Sequence, residues 1–445
     1  MTNKAIPHLV AVIGAGPAGL YTAQYLARKG VQVALFNQDI KPGGLAEYGI
    51  FPDKHKLRQG LLKQFDRILT MPEIRYLGNL KIGQNGDLKL DQLRQAGFQA
   101  FMVTTGAQHN NWLGLPGEDL EGVYQANDIV LNYNLLPRHA DWMPEIGRNV
   151  GVIGMGNVML DIVHYLKLET NPQTVTAFAR RGPTEVKFDK QTLAPVASCL
   201  DLPEIRRAVD EAGPQVRAVG KDVEAFYNLL SDAQARATDC DSGLKFLLKF
   251  LHSPKRLLGD ETGRVRAVVF ERNRLVREGD RVVSRGTGET VTVSLDTVIF
   301  SIGSRVDEGF GLPTSHGNYV TTPKPRFPVD DISYEVYNPD LCAECEDIFV
   351  SGWARVASEG IVGLARKDAE RGARAVLQYL ETLPAAGVPS VDQALARLPR
   401  LQKRIVSLAD LQRLSDVEQR IAKARGLPAF KFGTESEMLK VIEGD

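Results

Sequence analysis

Val12-Ile13-Gly14-Ala15-Gly16-Pro17-Ala18-Gly19, near the start of the chain, decides the fold. A short apolar run, Leu9 to Ile13, leads into it, and a helical pattern follows from Ala18 to Lys29. Each glycine has its own physical task. Gly14 permits a tight turn, Gly16 lets the backbone approach a pyrophosphate, and Gly19 lets helix and strand pack closely. The helix start then offers free N–H groups and the positive end of its dipole to an anion. The next apolar run, Val31 to Phe36, completes a strand–loop–helix–strand unit whose helix buries Leu20, Ala23 and Leu26. A second loop, Val152-Ile153-Gly154-Met155-Gly156-Asn157-Val158, lies 140 residues further on and has the same flanking pattern. One such loop points to one dinucleotide, and two point to a pair.

Neither loop is a complete fingerprint. Strand 2 of such a unit commonly ends in an acid that meets the ribose hydroxyls about 20 residues past the loop. Asn37 stands there, able to donate to and accept from a hydroxyl, with Asp39 close by. In the second unit Met159 replaces the third glycine. The strand that follows runs into Arg180-Arg181-Gly182-Pro183. Two guanidiniums there suit a 2′-phosphate, favouring NADP over NAD; the plainer alternative is a solvated basic pair.

Working outward, Lys41 to Pro52 is a Pro/Gly-rich stretch containing Gly44 and Leu45, and an amphipathic helix follows around Leu57 to Leu69. Phe101 to Ala107 reads as a buried strand ending in a small-residue turn that includes Thr105 and Gly106. Val298 to Gly303 repeats that pattern. Residues 185–245 read as helices with polar linkers, and Arg264 to Val293 as a β-meander. Ile348 to Trp353 is a further buried strand, followed by a helix from about Gly363 to Leu380 and a charged, mostly helical tail from Pro389. The fold expected is α/β with two dinucleotide-binding, Rossmann-like domains, the second inserted into the first. The boundaries expected are 1–107 and 300–388 for the first domain, 108–299 for the second and 389–445 for a C-terminal helical extension.

Composition limits the partners. A chain of 445 residues exceeds what one core usually spans. Lys+Arg and Asp+Glu both total 54, so nothing global draws it to nucleic acid or an anionic membrane. The N-terminal apolar run leads straight into the first loop, as a core strand does and a signal peptide does not. No apolar run approaches the ~20 residues that span a bilayer. Four cysteines in so long a chain argue against a disulfide framework and fit a reducing cytoplasm.

These segments together resemble the adrenodoxin reductase-like (ferredoxin–NADP reductase) family, related to the glutamate synthase small subunit. The resemblance rests on Gly14–Gly19, Gly44-Leu-Ala-Glu-Tyr-Gly-Ile-Phe-Pro52, Gly154–Asp161, Ala179-Arg-Arg-Gly-Pro183, Phe300-Ser-Ile-Gly303, Val350-Ser-Gly-Trp353 and Gly426-Leu-Pro-Ala-Phe-Lys-Phe432 with Glu437-Met-Leu439. It covers nearly the whole chain, and Gly352-Trp353 is its most discriminating pair. It implies FAD on the first domain, through Gly14, Gly16, Gly19, Leu45, Gly352, Trp353, Gly360 and Ile361, and NADPH on the inserted one, through Asn157, Val158, Arg180 and Arg181. Pro17, Ala18, Asn37, Gly44, Thr105 and Gly106 around the first loop, and Gly154 and Gly156 of the second, are expected as further cofactor-binding positions. The expected chemistry is hydride transfer from NADPH to FAD, then electron transfer to an iron–sulfur protein such as ferredoxin, or the reverse.

Departures from the family pattern keep two alternatives open: an electron-transfer subunit of a larger complex, and a nucleotide-binding flavoprotein without turnover. After Trp353 only Arg355 remains of the family's basic pair, and Glu359 puts an acid where the flavin ring would sit. His55, after the Pro/Gly stretch, is the titratable side chain best placed to approach the flavin, or else a surface histidine at a helix start. Cys342 and Cys345 read as unligated thiols in a surface loop, with no metal site. Lys54, Lys56, Arg58 and Lys63, then Lys245, Lys249, Lys255 and Arg256, then Arg397, Arg400, Lys403 and Arg404 form local basic clusters that an acidic ferredoxin could use.

Overall fold

The computed structural model describes residues 8–237, 243–356, 362–384 and 389–444. Along the chain come β1 (Leu9–Ile13), α1 (Pro17–Ala27), β2 (Gln32–Phe36), α2 (His55–Leu69), β3 (Ile74–Leu77) and β4 (Ala100–Val103). Then follow β5 (Val123–Gln125), β6 (Asn149–Ile153), α3 (Asn157–Glu169), β7 (Thr174–Phe178), α4 (Leu202–Ala218), α5 (Glu224–Gln234) and β8 (Lys245–Lys249). A meander of β9 (His252–Gly259), β10 (Val265–Glu278) and β11 (Arg281–Ser294) leads to β12 (Thr297–Phe300). The chain closes with β13 (Glu335–Asn338), β14 (Ala343–Val350), α6 (Val362–Leu380), α7 (Leu408–Ala424) and α8 (Glu435–Glu443). Two compact units result: residues 1–110, 131–141 and 303–445 form the first, and residues 111–130 and 142–302 the second. The second is thus inserted in the first, and residues 131–141 are a brief return that no sequence pattern announced.

The first unit is built on a sheet of order β13-β14-β4-β1-β2-β3, parallel from β14 to β3. All five residues of β1 are buried, as a central parallel strand covered on both faces requires. Alternation along the strand divides them. Val10 and Val12 pack with Leu20, Ala23 and Leu26 of α1 and with Ala373 and Val376 of α6. Leu9, Ala11 and Ile13 point into the opposite core with Phe36, Phe101 and Val350. The C-terminal tail belongs to this unit, where Ile40 is buried with Val406, Leu414, Met438 and Ile442. The second unit has the sheet order β5-β12-β6-β7-β8, all parallel. The antiparallel meander packs on it through Val268 and Phe270 against Ile153, Phe178 and Phe300. This is the doubled α/β architecture expected from the two loops. No helix among the described residues is long and apolar enough to cross a membrane.

Candidate dinucleotide sites

Both glycine loops have the same backbone construction. Gly14 N–H donates to Phe36 O at 2.8 Å, and Gly154 N–H to Phe178 O at 3.0 Å. Thr104 N–H donates to Ile13 O, and Ser301 N–H to Ile153 O, each at 2.8 Å. Gly14 has φ +105° and Gly154 has φ +126°, conformations that side chains resist. A Cβ on Gly14 would lie 2.6 Å from Thr104 O, and one on Gly154 would overlap Ser301 O. By contrast, a Cβ on Gly16 or Gly156 would meet no protein atom within 4 Å. The protein itself does not require glycine at those two positions, so the space they leave lies open to a ligand's approach.

The loops differ at the third position. A Cβ on Gly19 would overlap Gly14 O and lie 2.7 Å from Thr104 Oγ1, so α1 sits directly on the loop. Met159 at the matching place is fully buried, so α3 stands back far enough for a long side chain. Each helix begins after a glycine with no side-chain cap, Gly16 before Pro17 and Gly156 before Asn157, which leaves the first N–H groups available.

Around the first loop the structure gathers most of the residues expected there. Gly43 N–H donates to Ala15 O at 2.7 Å, and a Cβ on Gly44 would come 3.1 Å from Gly16 Cα and 3.9 Å from Pro17 Cδ. Leu45 opens the short helix Leu45–Tyr48 directly after. Gly352, with φ +67°, lies so close to α1 that a Cβ would be 2.6 Å from Ala18 Cβ; Trp353 follows it in a short 3-10 turn, half-buried. A cleft lined by Gly14, Asn37, Gln38, Lys81, Thr105 and Gly106 runs along the ends of the strands, where open α/β sheets bind ligands.

Asn37 departs from its expected double role. Its Nδ2 donates to Asp39 O and Lys41 O, both at 2.9 Å, while Oδ1 accepts from Ala15 N–H at 3.1 Å. Both amide hydrogens are engaged by the backbone, so a ribose could use Asn37 only as an acceptor. Asp39 is paired with Arg138 at 3.1 Å, and its desolvation raises its carboxyl above the ordinary value despite that partner.

His55 is the first residue of α2 and is partly exposed. Arg355 is not free: its Nε donates to Asp368 Oδ2 at 3.3 Å, and its guanidinium lies 4.8 Å from the Tyr334 ring centre. Asp368 also accepts from Gly352 N–H at 2.7 Å and Ser351 Oγ at 3.1 Å, which ties the Gly352 turn to α6. Glu359, Gly360 and Ile361 lie outside the described residues. Cys342 sits on an exposed turn with φ +49°, but Cys345 lies within β14, not in the surface loop expected. Gln38 and Gln108, hydrogen-bonded to each other, were not anticipated; Gln38's place directly after Asn37 was the available signal.

In the second unit Asn157 Nδ2 donates to Asp189 Oδ2 at 2.9 Å, and Asp189 N–H returns a bond to Asn157 Oδ1 at 3.1 Å. Asp189 also caps the backbone of Gln191 and Thr192. Partial burial opposes its ionisation, but those bonds outweigh it and hold the carboxyl below its ordinary value. Val158 is exposed beside it. Arg180 and Arg181 follow β7, one exposed and one half-buried. Their carbonyls are held by Asn273 Nδ2 at 2.8 Å and Leu251 N–H at 3.2 Å. Among the described residues neither guanidinium enters an ion pair. A bridge between Gly156 and Lys187 brings a further basic residue to the loop, one the sequence reading missed.

Two Rossmann-like units, one inserted in the other and each opening on a glycine loop, define a protein of the two-dinucleotide class. The pyridine nucleotide-disulphide oxidoreductase family matches residues 8–179. Over 97% of its length the chain is 28% identical to the mitochondrial NADPH:adrenodoxin oxidoreductase of Salvelinus fontinalis, covering 90% of that protein. It is 26% identical to the NADPH-ferredoxin reductase FprA of Mycobacterium leprae, covering 98% of this chain and 99% of that one. Mycobacterium tuberculosis FprA, solved in complex with NADPH, superposes with a TM-score of 0.78 at 25% identity, covering 98% of this chain and 100% of that one. Over nearly its whole length the chain is similar to adrenodoxin reductase and FprA-type reductases, the resemblance its own motifs carried.

Proposed function

We propose that this chain is an NADPH-dependent flavoprotein reductase, with FAD on the first unit, NADPH on the inserted unit and an iron–sulfur protein such as a ferredoxin as electron partner, in either direction of flow. The observation that carries this reading is the duplicated loop in which Gly16 and Gly156 alone face open space. Bound flavin supplies the exchange between two-electron hydride chemistry and one-electron transfer. The chain's own residues bind and orient. Gly14, Gly16, Ala18 and Gly19 offer backbone to a pyrophosphate, Asn37 offers an acceptor to a ribose, and Gly44, Leu45, Thr105, Gly106, Gly352 and Trp353 flank that cleft. On the inserted unit Gly154, Gly156, Asn157 and Val158 would form the matching cradle, and Arg180 and Arg181, without an ion pair among the described residues, suit a 2′-phosphate. His55 is the proposed titratable group at the flavin. A cytoplasmic setting is supported by Cys199, Cys342 and Cys345, none of which is disulfide-bonded.

The test is anaerobic reduction of the purified, FAD-loaded chain. NADPH should bleach the flavin band. Arg180→Ala with Arg181→Ala should weaken NADPH by about 10- to 100-fold while leaving NADH nearly unchanged, the cost of lost charge-assisted bonds. A chain that takes up no FAD, or a variant that weakens both nucleotides equally, overturns the assignment. Reduction seen only with a co-purifying large partner would favour the complex-subunit alternative.

A further inference from the structure

The C-terminal tail meets the Gly43–Gly44 turn through two buried ion pairs that bracket it in sequence. On one side Lys41 Nζ contacts Glu418 Oε1 of α7 at 2.6 Å, with side chains only 13% and 10% exposed. On the other, Lys431 Nζ contacts Glu47 Oε1 at 2.8 Å, with side chains 9% and 5% exposed. Lys431 also donates to Glu47 O at 2.9 Å and to Asn134 O at 3.4 Å, and lies 5.0 Å from the Tyr48 ring centre. Phe432 N–H donates to the same Glu418 Oε1 at 3.2 Å, which joins the two pairs into one unit. Between the brackets, Gly43 bonds Ala15 of the glycine loop and Gly44 abuts Gly16.

A buried ion pair is poor evidence of net stability, because desolvation cancels much of its attraction, but it does specify one arrangement. Breaking one partner leaves a buried charge and frees the segment it held. We infer that the C-terminal helices act as a clamp on the Gly43–Gly44 turn, Lys431 and Glu418 being positioning residues for the flavin dinucleotide. The inference rests on the reading that the first unit holds FAD. Neither residue lines the cleft beside Gly14; each acts through the turn packed on Gly16.

The experiment compares FAD dissociation constants, from flavin fluorescence, with thermal midpoints of the apoprotein, for full-length chains. Lys431→Met should raise the dissociation constant about tenfold or more. Arg413→Ala is the control, since its guanidinium bonds Ile442 O and joins α7 to α8 without reaching the turn. It should lower the midpoint but leave FAD affinity within about twofold. Lys431→Arg should recover most of the affinity. A Lys431→Met chain with a lowered midpoint and unchanged FAD affinity overturns the inference, as does an equal loss in Arg413→Ala. Should Lys431→Met not fold, Glu418→Gln breaks the other bracket and is judged by the same two outcomes. Failure of the unmodified chain to bind FAD overturns the flavin reading itself, which separates the two failures.

Discussion

Gly16 and Gly19 lie three residues apart and are glycine for opposite reasons. At Gly19 the protein excludes a side chain, since a Cβ would overlap the Gly14 carbonyl; at Gly16 nothing in the protein objects. Gly19→Ala should therefore destabilise the chain by about 1–3 kcal/mol through forced displacement of α1. Gly16→Ala should leave the apoprotein within about 0.5 kcal/mol and cut FAD affinity instead. Thermal midpoints and FAD titrations of the two variants should thus move in a crossed pattern. If Gly16→Ala alters only stability, the open space there serves no ligand. The sequence displayed both glycines but not this division, because the distinction depends on where the Gly14 carbonyl and Thr104 lie. Asn37 was likewise legible as a substitute for an acid, while the loss of its donor role depends on carbonyls of Asp39 and Lys41 that only the folded turn aims at it.

At the scale of elements, α7 shows how a surface helix is fixed. Ser407 and Asp410 form a reciprocal cap: Asp410 Oδ2 accepts from Ser407 N–H at 2.8 Å, and Arg404 donates to Oδ1 at 2.9 Å. Burial opposes ionisation of Asp410, but the Ser407 and Arg404 bonds prevail and hold its carboxyl below the ordinary value. A folded-state pKa below the unfolded value of about 3.9 contributes stability above that pH, lost as pH falls through the folded value. Asp410→Asn should cost about 1 kcal/mol at pH 7, typical of a lost cap, and flatten the loss of midpoint below about pH 4. An acid profile unchanged by the substitution would remove Asp410 from that role. The elements themselves were largely legible: the buried runs of β1 and β6, the loop–helix joints and the meander all follow from local pattern. Cys345 was misplaced because β14 begins in a polar, charged stretch, Ala343 to Asp347, whose pairing with β13 comes from the sheet and not from its own residues.

At the scale of the whole molecule, the nested arrangement should show in ligand-dependent protection. By hydrogen exchange, FAD should slow amides at the start of α1 and around Gly352, and NADP⁺ those at the start of α3, since a ligand stabilises the state it binds. Protection of α3 by FAD alone would reverse the assignment of cofactor to unit. Nesting was readable from the repeat of the loop and its closing strand; the excursion of residues 131–141 was not, because the edge-to-face Phe51–Tyr133 contact and the Arg138–Asp39 pair are made across distant sequence.

The same nesting sets an order of events on the ribosome. β4 pairs with β14, whose last paired residue, Val350, lies 247 positions beyond Val103 (350 minus 103). At roughly 5–20 residues per second, about 12–50 s separate the synthesis of those two strands. The inserted sheet is complete once β12 at Phe300 has emerged, while β4 still presents an open edge. The glycine loop made first therefore belongs to the unit finished last, and during that interval the nascent chain depends on whatever shields that edge until β14 arrives.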